Sequence, residues 1–306
     1  MVYLLLGCVE YGLGDPDATV VPDVAVTETF QQAPLPGLDV LFVVDSTGSM
    51  AEEQAGLSGA VDRFLDGLLD LGVSYQVGVT TTDPADAGAL QGRPWIITPS
   101  TPDPAGALAA ALQVGVASVP PSAGLDGAAR ALADATGVNL GFRRDDAALH
   151  VVFIADGDDA SGDWLGADPV AGFAALMVAE AARTGRAAVA SAVVGDVPSG
   201  CSGPGGTALP GTRYAAVAEA TGGEVVSICT ANFGEVVDAI TPGGVEFATE
   251  FVLQESPAEG SVTVSVDGER QESGWSVDYA APSVVFAVSP PAGSAIEVRY
   301  LLAERP

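Results

Sequence analysis

The stretch Asp39-Val40-Leu41-Phe42-Val43-Val44-Asp45-Ser46-Thr47-Gly48-Ser49-Met50 decides how this chain reads. Its first half is an almost unbroken apolar run, the pattern of a strand buried on both faces of a parallel sheet. The run stops at Asp45, and the residues after it are small and carry oxygen. Asp45, Thr47 and Ser49 fall at i, i+2 and i+4, so an extended turn leaving the strand aims all three side chains the same way. One carboxylate and two hydroxyls make a hard, oxygen-rich half-site of the kind that suits Mg²⁺, which takes one or two carboxylates and keeps several waters. The same residues also serve as ordinary helix caps, since Ser, Thr and Asp do so routinely. Taken alone, the spacing leaves both readings open.

The whole string resembles the first motif of a von Willebrand factor type A domain, in which Asp-x-Ser-x-Ser follows the first strand and begins a metal-ion-dependent adhesion site. Thr47 stands where that family usually has Ser and keeps the hydroxyl. The resemblance implies a second carboxylate at the end of the fourth strand. The run 147–156 is again apolar and ends in Asp156-Gly157, which matches that position. The family's third element is a loop Thr before a helix. Here 115–118 and Pro120-Pro121-Ser122 bracket the place without offering Thr, so Ser122 is the candidate hydroxyl, with a plain helix cap as its alternative. The implied metal set is Asp45, Thr47, Ser49, Ser122 and Asp156, holding Mg²⁺ (or Mn²⁺ or Ca²⁺). Asp158, Asp159 and Asp163 read as an acidic surface loop, and Arg143-Arg144 with Asp145-Asp146 as local surface contacts.

Strand and helix alternate through the rest of this region. An amphipathic helix is expected over 51–71, from Leu57, Val61, Phe64, Leu65 and Leu68 at helical spacing. Strands follow at 73–81 and 89–98, then an Ala-rich helix at 104–115, a helix at 123–135 after Ser122, and the strand ending at Asp156. A helix at 169–184 starts on Pro169. Strand 187–194, a Gly- and Pro-rich loop, helix 212–221, strand 224–228 and helix 232–241 complete it. This predicts an α/β fold, a doubly wound, mostly parallel sheet with helices on both faces. From Gly243 onward, alternating segments at 247–253, 261–266, 283–288 and 295–301 between turns such as Asp267-Gly268 predict a small antiparallel β module. Residues 24–30 alternate as one more strand, expected to pair with that module. The domain reading is therefore 1–8 leader remnant, 9–37 acidic Pro-containing tether, 38–242 type A domain and 243–306 β module.

Forty acidic residues face eleven basic ones, all arginine, for a formal charge of −29. Such a surface repels phosphate backbones and anionic lipid, so nucleic acid is not an expected partner. No apolar run reaches about 18 residues, so no spanning helix is expected. Of three cysteines, Cys8 ends a Leu-Leu-Gly-Cys string that resembles a bacterial lipobox, although no basic residue precedes it and the apolar stretch is shorter than the roughly 7–15 residues of a signal core. It is the expected lipidation site. Cys201 and Cys229 lie just beyond the strands 187–194 and 224–228. Consecutive strands of a doubly wound sheet are parallel neighbours, so a Cys201–Cys229 disulfide is expected.

His150 is the only histidine and falls inside a core strand. With no second His and no Lys, Ser–His–Asp, Ser–Lys and histidine–zinc chemistries lack their parts. The string 77–83, the run 139–147 and the paired late cysteines are similar to bacterial type A-domain lipoproteins. That resemblance implies a non-enzymatic protein of the cell envelope, lipid-anchored or secreted, whose metal recruits a carboxylate from a protein ligand in adhesion or scaffolding. A metal-dependent hydrolase using Asp45, Asp156 and Asp158 is the alternative, and a structural envelope protein with a vestigial metal site is another.

Overall fold

The computed structural model describes residues 24–32, 37–133, 136–230, 232–240, 248–291 and 293–303. The chain opens on β1 (Ala25–Gln31) and enters its larger unit with β2 (Gly37–Val44). There follow α1 (Ala51–Gly59), α2 (Val61–Asp70), β3 (Ser74–Thr81), α3 (Pro104–Leu112), α4 (Gly124–Ala133), β4 (Ala147–Ala155), α5 (Pro169–Thr184) and β5 (Ala188–Val194). A short hairpin of β6 (Cys201–Gly203) and β7 (Gly206–Ala208) leads into α6 (Thr212–Thr221), β8 (Val225–Ser227) and α7 (Phe233–Ile240). Six strands close the described chain: β9 (Glu250–Val252), β10 (Thr263–Val266), β11 (Glu269–Gln271), β12 (Trp275–Asp278), β13 (Ser283–Phe286) and β14 (Ala295–Leu301). Those strands and β1 form the smaller unit.

The larger unit is an α/β fold around a parallel sheet ordered β3-β2-β4-β5-β8. Alternate residues of β2 enter different cores. Leu38, Val40, Phe42 and Val44 pack with Leu57, Phe64, Leu108 and Val236 from α1, α2, α3 and α7. Leu41 and Val43 pack with Leu125, Phe173 and Tyr214 from α4, α5 and α6. A continuous apolar strand is what this two-sided burial requires. The sheet's β3 edge is covered by the 89–97 segment, through Gln91 N–H to the Val79 carbonyl (2.7 Å) and reciprocal Val77–Ile97 bonds of 2.8 and 2.9 Å.

Both ends of β2 carry a buried aspartate. At the amino end, Asp39 is fully buried and accepts from Arg143 Nη1 (2.7 Å), Arg144 Nε (2.7 Å) and the Arg144 backbone N–H (2.8 Å). The expected surface contacts of Arg143-Arg144 are thus a correction. These guanidiniums neutralise a carboxylate that could not otherwise be taken from water, and breaking such a pair costs about 3–5 kcal/mol.

Three further expectations are corrected. The single helix over 51–71 is two helices, because Ala60 leaves helical geometry (φ −103°, ψ 2°) directly after Gly59, a poor helix former. The strand at 89–98 is an irregular segment. Pro94 supplies no N–H, and Gly92 takes φ +83°, so contact with β3 is confined to the Gln91 N–H and the reciprocal pair at Ile97. The acidic-loop reading fails at Asp159, which is buried. It accepts from the Leu125 N–H (3.1 Å) while Ser161 accepts from the Asp126 N–H (2.9 Å), so this loop caps α4. Asp126 in turn accepts four N–H groups from 162–165, and they hold its pKa below the usual carboxylate value despite burial.

The smaller unit holds two antiparallel sheets, β1-β14-β10-β11 and β12-β13-β9. They share a core of Phe251, Val264, Val284, Phe286, Ile296, Val298 and Tyr300. β1 pairs with β14 along its length, from Ala25–Leu301 to Gln31–Ala295.

His150 sits in β4 among apolar neighbours, with Nε2 2.9 Å from Ser191 Oγ. Burial lowers its pKa from 6.5 to about 4. The unfolded chain takes up a proton near pH 6.5 that the folded chain refuses, so stability falls as pH drops from about 6.5 to about 4. Urea titrations of wild type and His150→Leu across this window should differ in their pH slope by about 3 kcal/mol in total. Parallel slopes would rule this out.

Candidate metal centre

In the sheet order, β3 lies on one side of β2 and β4 on the other, so the winding of the parallel strands reverses between β2 and β4. Open α/β sheets bind ligands at such a point. Register fixes what gathers there. Val44 is opposite Thr81 on β3 and Ile154 on β4, so Asp45 leaves the sheet beside Thr82 and Ala155, with Asp156 one residue further along. The Asp45 N–H donates to the Ile154 carbonyl (2.9 Å) and the Thr82 N–H to the Val44 carbonyl (3.1 Å).

The loop after β2 is held from within and across. The Thr47 N–H donates to Asp45 Oδ1 (2.8 Å), and Gln54 Nε2 reaches the carbonyls of Asp45 and Gly115, both at 2.9 Å. Thr47 bridges Ser118, whose N–H donates to the Ser46 carbonyl (3.1 Å), and the two serine hydroxyls lie 2.9 Å apart. The 115–122 loop is thereby fastened over the β2 loop. Ser122 Oγ lies 3.4 Å from each oxygen of Asp45, and Thr82 Oγ1 lies 3.3 Å from Oδ1. Thr47 and Ser49 hydroxyls lie 3.5 Å apart, and Ser49 hydrogen-bonds the Asp156 carboxylate.

Asp45, Thr47, Ser49, Ser122 and Asp156 all line one cavity of about 580 Å³. Pro120, Pro121, Asp158, Thr207 and Leu209 are also on its wall, and no Arg or His is among its lining residues. Asp45 is 1% and Asp156 8% exposed. Burial, and then the charge of Asp45, raises the Asp156 pKa above its usual value, against the Ser49 hydrogen bond. Asp158 is turned to other work, since Oδ1 accepts from the backbone N–H groups of Asp159 and Arg213, both at 2.9 Å. Among the described residues no group of three or more His, Cys, Asp or Glu side chains gathers to hold a metal. The cavity instead offers two carboxylates and several hydroxyls. That donor set fits a hard cation that keeps part of its water.

Two residues escape a reading of the sequence, Thr82 beside Asp45 and Thr207 on the cavity wall. Thr82 is visible only as the residue that leaves a strand beside β2. Thr207 lies in the β6–β7 hairpin, whose Gly and Pro content reads as loop. The Cys201–Cys229 disulfide (Cα–Cα 6.0 Å) ties that hairpin down beside the end of β8. The Leu209 N–H donates to the Asp156 carbonyl (2.8 Å), joining the hairpin to the site. Cys8 lies outside the described residues.

Among solved structures, the chain is similar to a von Willebrand factor type A protein from Catenulispora acidiphila, at 12% identity and a TM-score of 0.45, over 93% of this chain and 66% of that one. The chain resembles von Willebrand factor type A structures. It is also similar to the pilus adhesin SpaC from Lactobacillus rhamnosus GG in its open conformation (12% identity, 96% of this chain and 44% of that one, TM-score 0.42). A third is proximal thread matrix protein 1 from the mussel byssus, solved with a zinc-occupied MIDAS motif (14% identity, 70% and 47%, TM-score 0.41). The chain thus spans less than two thirds of each of these. No family model and no curated protein matches it.

The raised Asp156 pKa means that its ionised form opposes folding at neutral pH, a cost absent at low pH that grows as pH rises. In a chelator at pH 7, Asp156→Asn is expected to melt higher than wild type, by roughly 2–4 °C for each kcal/mol relieved. An unchanged or lower melting temperature would show that burial and the Asp45 charge do not disfavour the ionised carboxylate.

Proposed function

We propose that the larger unit is a type A domain that binds a divalent cation through Asp45, Thr47, Ser49, Ser122 and Asp156, and through that cation a carboxylate of a partner protein. The reading rests on one observation above all: two buried carboxylates and three hydroxyls line one cavity that has no basic side chain on its wall. A bound ion supplies the missing positive charge and a coordination position open to an incoming carboxylate oxygen. The role is adhesion or scaffolding at the cell envelope. A disulfide supports an oxidising compartment, and no described helix is long and apolar enough to cross a membrane. The hydrolase alternative finds less support. Asp158 is engaged by backbone N–H groups, and no Arg or His is among the wall residues to hold a leaving phosphate.

Calorimetric titration of Mg²⁺ or Mn²⁺ into wild type should give saturable one-site binding, lost by at least tenfold in Asp45→Ala, whose carboxylate is the most deeply placed ligand (1.4 kcal/mol or more in binding). Equal heats from both proteins would remove the metal reading.

The anchor is proposed at Cys8. Feeding an alkyne-bearing fatty acid to the native host should label wild type and not Cys8→Ser. Label that survives the substitution, or never appears, ends the lipoprotein proposal without touching the metal site.

A further inference from the structure

The edge of an open sheet offers a row of backbone N–H and C=O groups to any further strand, and proteins keep such edges short, covered or charged. In the larger unit the β3 edge is covered by the 89–97 segment, and β8 at the other edge has three residues. In the smaller unit the edge strands β9 and β11 have three residues each and β12 has four. β1 differs from all of these. It is seven residues long, contains no proline, and forms the outer edge of the sheet β1-β14-β10-β11.

Register shows which groups β1 leaves over. The Leu302 N–H donates to the Val24 carbonyl (3.0 Å) and the Gln32 N–H to the Ser294 carbonyl (2.9 Å), at the two ends of an unbroken ladder with β14. Hydrogen-bonded pairs alternate along an antiparallel ladder. The even-numbered residues therefore bond β14, and the backbone groups of Ala25, Thr27, Thr29 and Gln31 point away from it. No described strand takes them up. These four residues are uncharged, and Ala25, Thr29 and Gln31 are exposed. The one acid of the strand, Glu28, is buried on the core side, where its carboxylate accepts from the Tyr300 hydroxyl and from the Gln254 N–H (3.0 Å). The edge thus lacks the charge that would turn an incoming strand away.

We infer that β1 pairs antiparallel with β1 of a second copy of the chain, joining the two four-stranded sheets across a two-fold axis at Glu28. That centre sets Thr27 opposite the partner's Thr29 and Ala25 opposite the partner's Gln31. It is the register that uses all four outward-facing residues, with two hydrogen bonds exchanged in each facing pair. Threonine pairs across strands are favourable, and no like charges meet. The strand is therefore complementary to itself, which is what a two-fold interface requires. Two copies that each carry a net −29 repel at long range, so the pairing tightens as salt screens them. The inference concerns the smaller unit and does not depend on the metal reading.

Sedimentation equilibrium of the full chain tests it, with amide hydrogen exchange to locate the contact. Wild type should form dimers that tighten with added NaCl, and the Thr27 and Thr29 amides should be protected in the dimer. Thr29→Pro removes an N–H that β14 does not use, and proline is tolerated at such an edge. It should weaken dimerisation by about tenfold or more, because symmetry removes the bond from both copies. The double variant Thr27→Asp/Thr29→Asp leaves the backbone intact and sets like charges directly opposite, so it should weaken the dimer as well. Thr29→Val should dimerise as wild type does. Unchanged Trp275 fluorescence in the variants checks that the smaller unit is folded. A chain that stays monomeric up to millimolar concentration overturns the inference. So does a dimer that the proline and aspartate variants leave intact, or one in which the Thr27 and Thr29 amides exchange freely.

Discussion

The structure turns on how one buried strand ends. β2 is covered on both faces, and each of its ends carries a carboxylate withdrawn from water. Burying a lone carboxylate is costly enough that a protein pairs it, protonates it or gives it a metal. Asp39 is paired with two guanidiniums. Asp45 receives only one backbone N–H and hydroxyls at 3.3–3.4 Å, and its neighbour across the cavity is another carboxylate rather than an arginine. In a chain with eleven arginines, two go to one end of the strand and none lines the cavity at the other. That asymmetry locates the chemistry more firmly than any motif, because it follows from what burial demands.

The rest of the larger unit can be understood as holding that end of the sheet open and still. Parallel register delivers Asp45, Thr82 and Asp156 to one edge without help from their own loops. Loops from elsewhere are then bonded to that edge: 115–122 through Ser118, 158–161 through the cap on α4, and 195–211 through Leu209 and the disulfide. The helix cap is instructive. Because Asp159 and Ser161 satisfy the first N–H groups of α4, the Ser122 hydroxyl is left to face Asp45. The two readings that Ser122 carries in the sequence are separated by a contact from residues almost forty positions away.

What was legible in the sequence divides along the same line. β2 and β4 read clearly because two-sided burial leaves an unmistakable apolar run, and the abrupt aspartate after each marks where water begins. The break between α1 and α2 did not, since Leu57, Val61, Phe64, Leu65 and Leu68 keep one buried stripe across Ala60. The 89–97 segment imitates a strand because it lies against β3 and alternates accordingly, while Pro94 denies it the ladder. Asp39 stands at the head of the apolar run with nothing in the sequence to name its partners. Only the fold reveals that Arg143 and Arg144 arrive there from a hundred residues on. Short β11 and β12 left no pattern long enough to read. Local rules recover buried, continuous elements, and they miss whatever is decided by a partner distant in sequence.

The hairpin at 201–208 illustrates why such a partner can be covalent. Two strands of three residues, with positive φ at Gly200 and Gly206, could not hold a shape in water by themselves. Gly206 also lies against the buried Glu53 carboxylate, at a φ of +129° that strains any residue with a side chain. A bridge across 28 positions removes unfolded-state freedom worth about 3 kcal/mol on the chain-entropy account. That is more than so small a hairpin could gain from its own hydrogen bonds. The constraint reaches the site through one further bond, from Leu209 to the carbonyl of Asp156. A wall that sequence alone describes as glycine-rich loop is in this way fastened to the strand it faces.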